Sequence, residues 1–292
     1  MLLAAPLLVP GAARAAGWPR VLTDGLGRRV TLARPPQRIV AIFASNTEML
    51  AAIGALDRVV GIEAYTSFPP EVQGLPLVGG RLGFSAEAIA RLGADLVVMT
   101  PARSAAHALV EPMARIGVPT LVVTHRDLPQ IFGNLRLLGM ATGQEAVAEA
   151  LVARLAARLA VVQARLAGRA PVRVFMETSS TGRGVYGTIR PGSYSWDAVR
   201  LAGGESVFPD LSANGPPLVS AEAILRADPD VYLVAGRPDQ AAEVSARTGF
   251  GALAAVQAGR VRVVSRANFL IPGPRVVDGV ESLARLLHGV AA

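Results

Sequence analysis

Read from residue 20 onward, the chain alternates short apolar runs with longer stretches of helical spacing. Residues 21–32 predict a hairpin with Asp24-Gly25 at its turn, a dipeptide that accepts tight-turn geometry. Residues 38–44 read as a compact apolar strand, and 59–62, 96–100 and 120–123 repeat that pattern. Between them, 47–53, 86–91, 105–116 and 128–138 have the spacing of helices. The alternation resumes with strands at 172–177, 231–234 and 261–264 and helices near 197–202, 221–225 and 276–287. Such alternation predicts βαβ units around largely parallel sheets.

One stretch breaks the rhythm. Residues 144–166 contain no Gly or Pro, and Val147, Leu151, Leu155, Leu159, Val162 and Leu166 recur every three or four positions. Arg154, Arg158 and Arg165 lie off that stripe. A helix of this length reaches about 35 Å, roughly the diameter of a small domain. The expected fold class is α/β, two lobes with parallel-type sheets bridged by one long rigid helix. The expected boundaries are 16–141 for the first lobe, 142–168 for the bridge and 169–292 for the second lobe.

An internal repeat supports the two lobes. The run from Phe84 (Phe-Ser-Ala-Glu-Ala-Ile-Ala-Arg) returns from Val219 as Val-Ser-Ala-Glu-Ala-Ile-Leu-Arg, about half the chain later. In each copy a Ser stands where a helix N-cap is expected, and Glu87 or Glu222 falls in the first turn. By itself a first-turn Glu only complements the helix dipole.

Composition narrows the function. With 51% apolar and 17% charged residues, the 292-residue chain has material for two cores and is not a disordered or coiled-coil protein. All 29 basic residues are Arg and the net charge is +7, but the arginines are scattered singly and aromatic residues are only 5%. That pattern excludes a nucleic-acid groove built on basic runs and stacked rings. The sequence has no Cys, which removes disulfides, iron–sulfur clusters, thiolate zinc sites and thiol nucleophiles. His107, His125 and His288 are too few to enclose a bare metal ion. Residues 2–9 are apolar and Ala13-Arg14-Ala15 has the form of a cleavage site, so residues 1–15 are expected to be the remnant of a secretory signal peptide. Without a cysteine to lipidate, the expected location is the periplasm of a Gram-negative cell.

The ordered pieces Arg38-Ile-Val-Ala, Gly54-Ala-Leu-Asp-Arg-Val-Val-Gly-Ile, Phe68-Pro-Pro-Glu, the two Ser-Ala-Glu segments and Leu201-Ala-Gly-Gly-Glu-Ser-Val-Phe are each weak alone. In this order, the sequence resembles the class III periplasmic substrate-binding proteins of ABC importers for ferric siderophores, haem and cobalamin. The resemblance implies two lobes, a bridging helix, no resident cofactor, and capture of a metal chelate in the interlobe cleft. It also implies a monomer that meets the membrane only through its ABC permease, docking by one acid on each lobe, here Glu87 and Glu222. A ferric siderophore is the first expectation and a corrinoid or haem the alternative. The segment where haem binders carry a Tyr reads Val78-Gly79-Gly80, and Arg81 stands where cobalamin binders have a Trp.

Ligands of two-lobed α/β proteins sit at the carboxyl ends of the strands. That rule nominates Ser45 and Asn46, Tyr65, Arg81 and Arg103 on the first lobe. On the second lobe it nominates Arg183, Tyr186, Arg190 and Tyr194 in a Gly-rich stretch, with Arg237 and Arg266 after later strands. Arginines in a cleft would complement an anionic chelate. Trp196 and Tyr232 read as core. An enzyme is the remote alternative: Glu177 ends a strand but has no evident partner, and no nucleophile elbow, P-loop or dinucleotide fingerprint occurs.

Overall fold

The computed structural model describes residues 17–80, 83–100, 106–212 and 215–290, and no side chains at 106–109. The expected signal remnant, Arg81 and Arg103 lie outside the described residues, as does the side chain of His107. A hairpin of β1 (Arg20–Thr23) and β2 (Arg29–Leu32) comes first, paired antiparallel. Buried Asp24 organises its turn, its carboxylate accepting from the amides of Leu26 and Arg28 at 3.0 Å and from the Arg28 guanidinium.

The first lobe is built on β3 (Ile39–Ile42), β4 (Val59–Ile62), β7 (Leu96–Met99) and β8 (Thr120–Val122), with the two-residue pair β5 (Gly79–Gly80) and β6 (Gly83–Phe84) beside them. The four main strands are parallel in the order β4-β3-β7-β8. The second lobe repeats this with β9 (Val172–Glu177), β12 (Gly204–Ser206), β14 (Val231–Ala235) and β15 (Val261–Val264), parallel in the order β12-β9-β14-β15. In both, the second strand lies outside the first and the third and fourth follow on its other side. The lobes therefore share one topology, as the sequence repeat suggested. A small antiparallel sheet of β10 (Ser179–Ser180), β11 (Val185–Gly187) and β13 (Leu218–Ser220) completes the second lobe.

Helices α1 (Ala44–Ala52), α2 (Ala86–Arg91), α3 (Ala106–Arg115) and α4 (Leu128–Thr142) serve the first lobe. The second carries α6 (Tyr194–Leu201), α7 (Ala221–Ala227), α8 (Gln240–Ser245), α9 (Ala254–Gln257), α10 (Arg266–Leu270) and α11 (Val276–His288). Ser85 and Ser220 cap α2 and α7, their hydroxyls accepting from the amides of Ala88 at 3.1 Å and Ala223 at 3.3 Å.

Between the lobes runs α5 (Glu145–Leu166), 22 residues long. Gly143, at φ 74°, turns the chain back from α4 in the left-handed conformation that glycine adopts without strain. Gly139 then lets the helices meet, since a Cβ there would come within 2.6 Å of the Ala148 Cβ. The expected stripe holds from Leu151 to Leu166, but Val147 is exposed and Ala148 and Val152 are buried instead. The close approach at Gly139 selects Ala148 and rotates Val147 outward. Arg158 binds Glu281 and Asp278 of α11, fixing the bridge to the second lobe. One apolar core runs through α5 from Ile39 and Leu96 to Val174 and Leu233, and each sheet has a smaller cluster on its other face. No helix among the described residues is long and apolar enough to cross a membrane.

Candidate ligand cleft

Because the main strands of each lobe are parallel, all carboxyl ends of one sheet emerge on one side. On the first lobe the residues there are Phe43 after β3, Thr100 after β7, and Thr124 and His125 after β8. These residues, with Gly25 and Leu26 of the hairpin turn and Arg126 and Gln130, form one wall of a cavity of about 590 Å3. The other lobe supplies Tyr194, Leu270 and Pro272.

Under that wall lies a polar network. Asn134 Nδ2 donates to Thr124 O at 2.9 Å and to His125 Nδ1 at 3.2 Å, so the assigned tautomer carries its hydrogen on Nε2. From Nε2 the ring donates toward Ser45 Oγ at 3.2 Å and Thr100 Oγ1 at 3.1 Å. Asn46 closes the network, donating to Thr100 Oγ1 at 3.1 Å and Ile42 O at 2.6 Å. Burial holds His125 down to a pKa of about 4, so the imidazole is neutral at physiological pH. Both of its nitrogens are engaged by protein. Tyr194 is also uncharged, its phenol pushed up to about 12 by burial. The described wall thus offers rings, neutral polar groups and one cation, Arg126, which Asp127 holds at 3.1 Å.

The lobes are tied together beside the cleft. Tyr194 N donates to Arg126 O at 2.8 Å, and Leu128 N donates to Asp197 Oδ2 at 3.0 Å. Arg275, just before α11, reaches buried Glu48 of α1, donating from Nε to Oε2 at 2.8 Å and from Nη2 to Oε1. Its guanidinium also lies 4.1 Å over the Phe68 ring. Burial raises the Glu48 carboxyl pKa although Arg275 pulls it down.

Of the residues nominated from sequence, the structure places Tyr194 in the cavity wall. Ser45 and Asn46 are fully buried beneath it, because they form the first turn of α1 and face inward. Tyr65 is 62% exposed on the loop after β4, outside the wall. Tyr186 is buried in β11 against Phe250 and Arg247 and does not line the cavity. Arg183 sits in the β10–β11 hairpin, and Arg190 donates to Gly215 O at 3.2 Å. Arg237 pairs with Asp239 and Glu243 at the start of α8, and Arg266 donates to the carbonyls of Thr178 and Ala235. These four arginines do not line the cavity. Nor is Glu177 without a partner: Arg247 binds both its oxygens at 2.6 and 3.0 Å and Tyr232 Oη donates at 2.6 Å. The strand-end rule that chose Ser45 would also have found Thr100, Thr124 and His125. Leu270 and Pro272 carried no such signal. No group of three metal-ligating side chains occurs among the described residues.

Two like-folded parallel lobes, one bridging helix and a cleft at the strand ends define a two-lobed solute-binding protein. The chain belongs to the periplasmic binding protein family, matched over residues 39–266. It is 26% identical to an uncharacterized ABC transporter substrate-binding lipoprotein of Bacillus subtilis, over 93% of this chain and 86% of that one. It is 30% identical to a vitamin B12-binding protein of Salmonella choleraesuis, over 68% and 73%. A crystal structure of an ABC-type Fe3+-hydroxamate transport system from Saccharomonospora viridis shares the fold, with TM-score 0.75, 24% identity and coverage of 93% and 100%.

Proposed function

We propose that this chain is the extracytoplasmic substrate-binding component of an ABC importer and that it carries an organic metal chelate in the interlobe cleft. The observation that supports the chelate class is the cleft wall: Phe43, Tyr194, Leu26, Leu270 and Pro272 suit an apolar organic shell, and the polar groups between them are neutral apart from Arg126, which pairs with Asp127. A ferric siderophore of low charge, such as a hydroxamate complex, fits this wall better than a highly anionic chelate, because Arg183, Arg190, Arg237 and Arg266 do not line the cavity among the described residues. A corrinoid is the second reading, favoured by the 30% identity to a vitamin B12-binding protein. Binding without turnover belongs to the same reading, supported by the match to a family of binding proteins and by the engagement of Glu177, the base considered from sequence, by Arg247 and Tyr232.

Delivery would use Glu87 and Glu222. Both are exposed in the first turns of the repeat-related helices α2 and α7. The Ser220 hydroxyl and a backbone amide hold the Glu222 carboxyl below its ordinary pKa, which keeps it ionised for permease arginines. A periplasmic location completes the proposal; recovery of the protein in the cytoplasmic fraction would overturn that part.

Neither tryptophan reports on the cleft: Trp18 stacks with Arg20, and Trp196 lines a separate hollow of the second lobe. The test is therefore calorimetric titration of the purified protein with ferrioxamine B, cyanocobalamin, haemin and a ferric catecholate. Ferrioxamine B binding tighter than the catecholate supports the reading. Binding of cyanocobalamin alone replaces it with the corrinoid, and no binding to any of the four refutes chelate capture.

A further inference from the structure

Phe43 has a backbone conformation that its surroundings have to impose. It lies at φ 91° and ψ 129°, a region where only glycine is at ease. The only other non-glycine residue with positive φ among those described is Asp228, at φ 40° in the ordinary left-handed helical region. Three contacts hold Phe43 in place. Its amide donates to Glu63 Oε2 at 3.0 Å, its carbonyl accepts from Asn46 N at 2.9 Å, and the preceding carbonyl of Ile42 accepts from Asn46 Nδ2. Glu63 is itself buried, with Thr66 Oγ1 donating to it at 2.7 Å. A buried carboxylate is thus committed to fixing one amide.

Core packing does not account for this arrangement, because the Phe43 side chain is 46% exposed and forms part of the cleft wall. A glycine would relieve the strain, and Phe43 belongs to none of the three buried core clusters. Strain that the fold maintains around an exposed ring at a cavity mouth points to a use for the ring.

We propose that Phe43 is a strain-held platform on which the apolar face of the ligand's organic shell stacks, and that Glu63 is the residue that positions it. The inference rests on the chelate-binding reading above. A platform fixed before the ligand arrives loses little side-chain entropy on binding, which is how a preformed ring strengthens affinity. The ring closes the first-lobe side of the cavity to which the second lobe contributes Tyr194, Leu270 and Pro272.

Phe43→Gly and Phe43→Ala separate strain from contact. Both lack the ring, but only Ala keeps a Cβ at positive φ, so the Gly protein should melt about 2–6 °C above the Ala protein. Both should bind ferrioxamine B or cyanocobalamin, whichever the parent binds, at least tenfold more weakly, and Phe43→Trp should restore most of that loss. Equal melting of the Gly and Ala proteins overturns the strain. A parent that binds while the Gly protein binds equally well overturns the platform and leaves chelate capture standing. A parent that takes up none of the probes overturns chelate capture and the platform with it.

Discussion

Acid should destabilise this protein through His125 in particular. Its ordinary pKa is 6.5, and in the folded chain burial holds it to about 4 while Asn134, Ser45 and Thr100 satisfy the neutral ring. The unfolded chain therefore binds a proton that the folded one refuses. Stability is complete above about pH 6.5, falls as pH drops, and stops falling below about 4. The gap between the two values corresponds to about 3 kcal/mol in all, of which about 2 kcal/mol should be gone by pH 5. Glu48 works in the opposite direction, because a carboxyl whose folded pKa is raised gains stability as pH falls. The comparison must therefore be differential. His125→Gln keeps an amide near the Nε2 position and does not titrate, whereas Glu48 is common to both proteins. Urea unfolding at pH 7.5 and 5.0 should show the parent losing about 2 kcal/mol more than the variant. Imidazole NMR should give an apparent pKa near 4. An equal acid loss in both proteins, or a ring that titrates near 6.5, would refute the argument.

Other perturbations follow from single contacts. Arg275→Met should cost about 3–5 kcal/mol by leaving Glu48 buried and unpaired, and adding Glu48→Gln should recover part of it in urea unfolding. Ser85→Ala and Ser220→Ala should each cost about 1 kcal/mol, and a cost in one lobe only would break the equivalence of the two caps. Leu155→Ala should lower stability by about 2–5 kcal/mol and shift one calorimetric transition for the whole chain, because the core is continuous through α5; two separated transitions would contradict that continuity. Glu87→Gln with Glu222→Gln should leave calorimetric ligand affinity unchanged and depress reconstituted uptake, most strongly in the double variant, so normal uptake by the double variant would end the docking role.

The main sheets and helices were legible because their signals are local. Strand 59–62, helix 86–91, strand 172–177 and strand 261–264 have in the structure the bounds that periodicity assigns them. Helix α1 is longer than expected at its start, beginning at Ala44 directly after the strained Phe43, a backbone state that composition does not signal. The cleft was harder to read for a different reason. The strand-end rule locates a loop but not the direction of its side chains. It therefore chose Ser45 and Asn46, which point into the first lobe, and Tyr186, which β11 buries, while passing over Phe43 between them and the strand. The arginines show a third limit: a cation after a strand looks free in sequence until its partners, Asp239 for Arg237 and two carbonyls for Arg266, are brought to it by the fold.

The arrangement also bears on how the lobes can move. The bridge is a continuous helix whose buried face belongs to the same core as both sheets, so bending it would open packed apolar contacts as well as backbone hydrogen bonds. Beside the cleft, the Tyr194 amide and the Leu128 amide each cross between lobes to an acceptor, and Arg275 crosses to Glu48. A large rotation would have to break all three and expose the Glu48 carboxylate, at a cost that ligand contacts alone would have to repay. Two carbonyl or carboxylate acceptors could rehydrate, but a carboxylate buried under Gly273 and Phe68 could not do so without opening the whole crossing. The proposed recognition would therefore use a cleft shaped before the ligand arrives, in which a strained ring, a neutral imidazole network and the half-buried Tyr194 phenol are already set in position.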